Sequence, residues 1–204
     1  MQPARIEGYR LSPQQRHLWL LQQGQLGCPY RVQYMVEVSG HLDALALQGA
    51  FIRAANENEI LHTYFCSLPE MVYPVQVVRD TAGIAFQTDD LSTLSEQEQS
   101  ERVEKIYSDY AERELNIEKG PVLSVALLRL SPTRHVLLMT LAALCGDSKT
   151  LANLLREVAH LYRRDDQQPG IPAEEKIQYV VISEWQNELL ESEETHAGRD
   201  YWTT

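Results

Sequence analysis

The sequence predicts an α+β domain in which a mixed, mostly antiparallel sheet is covered by helices. Three observations carry this. Residues 122–130 and 135–141 are almost continuously apolar and are separated by only Ser131-Pro132-Thr133-Arg134, so they read as a central hairpin covered on both faces. Val32, Tyr34, Val36 and Val38 recur at every second position, as a half-buried strand requires. Around these, apolar residues return at helical spacing behind the capping residues Ser12, Asp43 and Ser95.

In chain order, Ser12 caps the first helix, Pro13 suits its first position and Gln15 closes a capping box; Leu18, Trp19 and Leu21 supply apolar surface. Residues 24–29 break the pattern before the alternating strand. Asp43 caps a second helix whose Leu47, Ala50, Phe51 and Ala54 fall at i, i+3, i+4 and i+7. Residues 60–66 and 72–78 read as strands, with Pro74 placing the second at an edge, and residues 84–87 as a weaker one. Ser95 and Glu98 form another capping box, ahead of a long helix with Val103, Ile106, Tyr107 and Tyr110 on one face; Gly120-Pro121 ends that unit. After the hairpin, Leu151, Leu154, Leu155, Val158 and Leu161 mark the core stripe of a further helix. Residues 163–176, polar and bearing Gly and Pro, are expected to form a mobile loop. The last helix carries Ile182, Trp185, Gln186 and Leu189 on one face. Residues 1–10 are a lead, and with no internal repeat the chain reads as one unit over 1–204.

Composition narrows the function. The 204 residues, 44% hydrophobic, suffice for a core. Eighteen Lys plus Arg against 29 Asp plus Glu leave a net charge of −11, which disfavours a nucleic-acid partner. No apolar run reaches the ~20 residues that span a bilayer, and no signal-peptide core precedes Leu11, so no membrane partner is expected. Cys28, Cys66 and Cys145 are scattered and odd in number, which suggests reduced thiols in a cytoplasmic protein. No Gly-rich phosphate loop or GxSxG elbow occurs.

Several segments together carry a likeness. LSPQQRHLWLL (11–21) is similar to an LSxAQxRLWxL motif, and ENEILHTYF (57–65) to RHEILRTxF. DLS (90–92) followed by ELNIEKGPVLSVALLRL (114–130) resembles FDLxxGPLLRVxLLRL, YVVISEWQ (179–186) resembles YxDFAxWQ, and RDYW (199–202) resembles a tyrosine–tryptophan pair. The chain thus resembles the N-terminal lobe of a nonribosomal peptide synthetase condensation domain, over about Leu11 to Trp202. The resemblance implies a chloramphenicol acetyltransferase-like half-domain, with residues 177–204 holding the last helix and the crossover to a second lobe missing from the chain. The stop at Thr203-Thr204 is read as a cut within a longer polypeptide. Members of that family join two thioesters held on phosphopantetheine arms of carrier domains, in a tunnel between two lobes. Their HHxxxDG motif follows a strand, and its second histidine positions the attacking amine or accepts its proton, a task suited to a pKa near about 6.5.

Here the matching heptad is Ala142-Ala143-Leu144-Cys145-Gly146-Asp147-Ser148. Both histidines are alanine, the glycine is Ser148, and only Asp147 is kept. Ala143 can neither exchange a proton nor donate a hydrogen bond. His62 stands where the family has an arginine thought to pair with the motif aspartate; Arg16 and Arg53 are other conceivable partners. Asp147 or Ser148 can instead cap the following helix, worth roughly 1 kcal/mol. Cys145 reads as a packing residue, against a sharper alternative that makes it a nucleophile or acyl acceptor with His62 as base and Asp147 as orienter. His17, His41, His135, His160 and His196 lack ligand spacing and read as surface or capping residues; no metal-binding or cofactor-binding residue is predicted. The acidic run 188–194 reads as a solvated helix face.

These features predict a truncated, non-catalytic condensation-like domain with a structural or interaction role. Its expected place is the head of a synthetase, in an initiation module before an adenylation domain, because the first motif starts ten residues after Met1. The expected partners are that adenylation domain and a carrier domain, with phosphopantetheine on the carrier domain and none bound by this chain. The alternative is an excised half of an unusual but active condensation domain. A weaker third reading is an acyltransferase-like partner acting in trans.

Overall fold

A computed structural model describes residues 7–23, 30–113, 115–163 and 176–192. Its main sheet has four strands in the order β1 (Arg31–Ser39), β6 (Arg134–Ala142), β5 (Leu123–Ser131) and β4 (Ile84–Asp90). β1 and β5 run antiparallel to β6, and β4 runs parallel to β5. The hairpin therefore occupies the two central places, and its side chains divide by parity. Leu123, Val125, Leu127, Leu137, Met139 and Leu141 enter the main core. Ala126, Leu128, Val136 and Leu138 enter a smaller cluster on the other face. Burial on both sides is why these runs are almost continuously apolar.

The main core is closed by α2 (Ala44–Asn56), through Leu47, Ala50, Phe51 and Ala54, and by α4 (Ser148–Arg163), through Leu151, Leu154, Val158 and Leu161. Each buried leucine or phenylalanine contributes about 1.5–3 kcal/mol. Leu155 is half-buried at the edge of this core. α3 (Glu96–Glu112) covers the opposite face with Ile106 and Tyr110, whereas Tyr107, expected beside them, is exposed. Both sheet faces are thus covered by helices, as the α+β reading requires.

Local capping chemistry sets the helix starts. The Asp43 carboxylate accepts from the amides of Leu45 and Ala46 at 2.9 and 3.1 Å. Ser95 and Glu98 exchange bonds at 3.4 and 2.9 Å. In α1 (Pro13–Gln23), Gln15 donates its amide to Ser12 Oγ at 3.2 Å and accepts from the Ser12 amide at 2.9 Å. Leu18 and Trp19 pack against the core, but Leu21 is exposed.

Further expectations are corrected. The strands read at 60–66 and 72–78 are shorter, β2 (Thr63–Cys66) and β3 (Val75–Val78), paired in a separate two-stranded sheet. Glu59–His62 forms a 3-10 turn instead, because the Glu59 amide donates to the Gln178 side chain at 3.0 Å and Leu61 N bonds the Asn58 carbonyl. The end of the N-terminal lead joins this small sheet, with Tyr9 and Gln76 exchanging backbone bonds at 2.8 Å. The weak strand at 84–87 continues to Asp90, held by its parallel register on β5.

Another correction concerns α5 (Tyr179–Glu191): Ile182, Trp185 and Leu189 face outward, and the helix buries Val180, Ser183 and Asn187. Among the expected surface histidines, His135 is buried, since it points from β6 toward the main-core side; burial lowers its pKa. His17, His41 and His160 are exposed. The loop at 164–175, the crossover from 193 onward, Cys28 and His196 lie outside the described residues. No described helix is long and apolar enough to cross a membrane.

Candidate functional site

β6 ends at Ala142, a buried residue whose amide donates to the Val122 carbonyl at 3.0 Å. A 3-10 turn, Ala143–Cys145, follows, and the Ala143 amide donates to the Tyr30 carbonyl at 2.8 Å. Gly146 then lets the chain pass close under α4: a Cβ there would lie 2.7 Å from the Thr150 side chain. Asp147 is exposed and caps α4. Its Oδ1 accepts from the Thr150 amide at 2.8 Å and the Thr150 hydroxyl at 3.0 Å, while its own amide donates to Thr150 Oγ1 at 3.2 Å. These bonds favour the carboxylate and hold its pKa below the ordinary range. Ser148 is the exposed first residue of α4.

The other candidate groups are committed elsewhere. Cys145 is fully buried, and with no charge to stabilise a thiolate its pKa is pushed far up. His62 is buried in the 3-10 turn before β2, and its Nδ1–H donates to the Arg79 carbonyl while Nε2 has no partner. No hydrogen bond joins any two of His62, Cys145 and Asp147. Arg16 donates to Asn187 Oδ1 at 2.5 Å and Arg53 to the Leu161 carbonyl at 2.9 Å. Among the described residues no ion pair reaches Asp147, and none of the described His, Cys, Asp and Glu residues cluster as a metal site would need. A cleft of about 730 Å³ lies at the hairpin end of the sheet between Leu42, Leu127, Arg129, His135 and Tyr162, and no residue of the turn lines it.

What fixes the turn is a buried polar seam that periodicity did not single out. Gln15 Nε2 donates to the Leu144 carbonyl at 2.9 Å and to Gln76 Oε1 at 2.9 Å. Gln76 Nε2 in turn donates to the Arg10 carbonyl at 2.8 Å and to Ser183 Oγ at 3.3 Å. Ser183 Oγ donates to the same Arg10 carbonyl, and Asn187 Nδ2 to the Leu11 carbonyl at 3.0 Å. Ser12 Oγ and the Tyr179 hydroxyl share a bond of 2.8 Å. The seam ties α1, β3 and α5 to the end of β6. Its one visible signal was Gln76, a polar residue inside the apolar run VQVV. Chemically, the turn offers an exposed capping carboxylate, a protonated buried thiol and two methyl side chains. No imidazole is among these groups, and the carboxylate is engaged in capping α4.

Comparison with known proteins bears on the same residues. The Condensation domain family model matches residues 6–204. Chondramide synthase cmdD of Chondromyces crocatus is 31% identical over 194 residues, which cover 94% of this chain and 5% of that protein. The chain therefore spans about a twentieth of that relative's length. Among solved structures, the first condensation domain of the calcium-dependent antibiotic synthetase, in complex with a substrate analogue, superposes with a TM-score of 0.82 at 21% identity, over 97% of this chain and 47% of that one. The X-domain solved in complex with OxyB from teicoplanin biosynthesis gives 0.72 at 21% identity, over 94% and 40%. At such identities these structures speak for the fold.

Proposed function

The chain belongs to the condensation-domain family and is homologous to the condensation domains of nonribosomal peptide synthetases, and from that premise we propose that it is a non-catalytic, condensation-like lobe with a structural and docking role. One observation carries the reading. At the end of β6, where the resemblance places two histidines, Ala142 and Ala143 present only methyl groups, and the neighbouring Cys145 and Asp147 are occupied by packing and capping. An initiation module has no upstream donor to condense, so its condensation-like domain needs no proton-handling group. The proposed place is therefore ahead of an adenylation domain, whose fold or activity the lobe supports. Carrier domains and their phosphopantetheine arms belong to the assembly and not to this chain. That the X-domain forms a complex with OxyB supports the idea that this fold can serve as a platform.

The test uses the polypeptide that carries the chain. Deleting residues 1–204 should impair solubility or adenylation, and restoring histidine at positions 142 and 143 should yield no condensation product. Adenylation and carrier loading indifferent to the deletion would overturn the reading.

A second reading is favoured by the 47% coverage of the solved condensation domain. In it the chain is the first half of an active domain that works by positioning two thioesters. Proximity alone can supply roughly 7–11 kcal/mol. Single-turnover condensation by the unaltered polypeptide, lost when either carrier is removed, would establish it.

A further inference from the structure

A cleft of about 390 Å³ opens where α3 stops short of the sheet it covers. On that face the hairpin presents Ala126, Leu128, Val136 and Leu138, and by the same parity its far end presents two hydroxyls, Ser124 and Thr140, which oppose each other in register. α3 ends at Glu112 and the chain turns out of the helix at Arg113, so the helix ends beside this pair instead of covering it. Ser124 is 9% exposed and Thr140 2%. Thr140 Oγ1 accepts from Gln33 Nε2 at 3.4 Å, which leaves its own proton to donate. The Ser124 hydroxyl, which lines the cleft, bonds no group among the described residues. An interior hydroxyl without a partner is destabilising, and the adjacent Val125 and Ala126 show that apolar side chains are accepted here.

The other walls are positive or donate. Arg31 Nη1 donates to the Tyr110 and Arg113 carbonyls at 2.9 and 2.5 Å, which sets its charge against the C-terminal end of α3. The Arg113 guanidinium lies 5.5 Å from the centroid of the Tyr110 ring and forms no ion pair among the described residues. Asn116 Oδ1 is taken by the Glu118 and Lys119 amides at 3.1 and 2.9 Å, so its side chain has N–H groups left to offer. Gly120 closes this wall at a φ of +71°, where a Cβ would lie 2.3 Å from the Tyr64 ring. In a chain that carries −11, no Asp or Glu among the described residues lines this cleft.

We propose that the cleft is a binding site for a free phosphate group, as orthophosphate or pyrophosphate. Arg113 supplies charge, and the Ser124 and Thr140 hydroxyls and the Asn116 amide supply directed hydrogen bonds. These donors come from a strand pair, a helix end and a loop. Such a set suits a tetrahedral anion, with acceptors on every side, better than a planar carboxylate, which one arginine fork can satisfy. No residue of the turn at 142–148 lines the cleft, so the inference holds whether or not that turn catalyses anything.

Isothermal titration of the 204-residue chain with orthophosphate and, separately, with pyrophosphate at constant ionic strength tests it. Saturable binding of at least one of the two is expected. Arg113→Gln should weaken it at least about tenfold and Ser124→Ala about threefold or more. Arg134→Gln, which removes the same charge at the opposite end of the hairpin, should bind as wild type does. Circular dichroism checks that each variant keeps its fold, and Ser124→Ala carries the test if Arg113→Gln does not. Heats that sodium chloride reproduces overturn the proposal. So does binding unchanged in Arg113→Gln and Ser124→Ala, or acetate bound as tightly as phosphate. None of these readouts involves condensation or adenylation, so this inference and the proposed function fail separately.

Discussion

The side-chain amide of Gln15 sits 2.9 Å from the carbonyl of Leu144, so a helix near the start of the chain holds the turn that ends strand β6. The same nitrogen donates to Gln76, and Gln15 Oε1 receives the Ser12 amide, so each polar atom of the buried side chain has a partner. The turn is thereby set by a contact spanning 129 positions of sequence, and its side chains play no part in it.

Gln15→Leu keeps the volume and removes every one of these bonds. It leaves the Leu144 carbonyl, Gln76 Oε1 and the Ser12 amide without a partner in the interior. With about 1–3 kcal/mol for each orphaned buried group and partial relief by relaxation, the expected loss is about 2–4 kcal/mol. Urea unfolding followed by circular dichroism reads this directly. A loss below about 0.5 kcal/mol, within the range of surface substitutions, would mean that the seam does not anchor the turn.

Asp147→Ala should cost about 1 kcal/mol, because the Thr150 amide loses its acceptor, and Asp147→Asn should recover most of it. The pH dependence has a definite sign. The folded pKa is depressed by the Thr150 amide and hydroxyl, so the stabilisation is complete above the unfolded value of about 3.9 and is lost as pH falls through the folded value. Exposure of the carboxylate keeps this contribution small. Comparing acid unfolding of wild type and Asp147→Asn isolates it: wild type should hold a small advantage above about pH 5 that fades as pH falls below about 4. A difference centred near pH 6–7 would instead point to a histidine partner.

Cys145 should resist alkylation until the chain unfolds. Burial raises its pKa and removes it from solvent, whereas Cys66 is partly accessible and should label first. Quantified by mass spectrometry across a urea series, Cys145 labelling should track global unfolding. Labelling in the native state that rises with pH around neutrality would revive a nucleophilic role.

The two alanines of the turn should differ in what they tolerate. Ala142 is 1% exposed within the main core, so Ala142→His must overpack that core and bury an imidazole, at about 2–3 kcal/mol. Ala143 is only partly buried, so Ala143→His should stay within about 1 kcal/mol of wild type. Thermal unfolding of the two single variants tests the order. The reverse order would show that the site retains room shaped for the first histidine.

The success of sequence reading here follows the range of the physics. Capping by Ser12, Asp43 and Ser95 is decided within four residues, and the parity of β5 and β6 within each strand, so these were legible. The ends of β2 and β3 were not, because Glu59 bonds a side chain 119 positions away. The parallel pairing of β4 is likewise non-local. At the site, likeness to a family located the turn, but of its anchors only Gln76, polar within VQVV, left a local sign, and nothing marked Gln15 as its partner. Periodicity also defined an apolar face on α5 without saying on which side of the helix the protein lies.

That last point yields a contrast within one helix. Asn187 has the composition of a surface residue, yet it accepts from Arg16 and donates to the Leu11 carbonyl while 1% exposed. Asn187→Ala orphans a guanidinium bond and a buried carbonyl and should cost about 2–3 kcal/mol. Leu189 looks like core by sequence but is 43% exposed, and in the 204-residue chain Leu189→Ser should change stability by no more than about 0.5 kcal/mol. Chemical denaturation of both variants decides between the two orientations of α5. If Leu189→Ser proves the more damaging, the helix packs by its apolar side in solution.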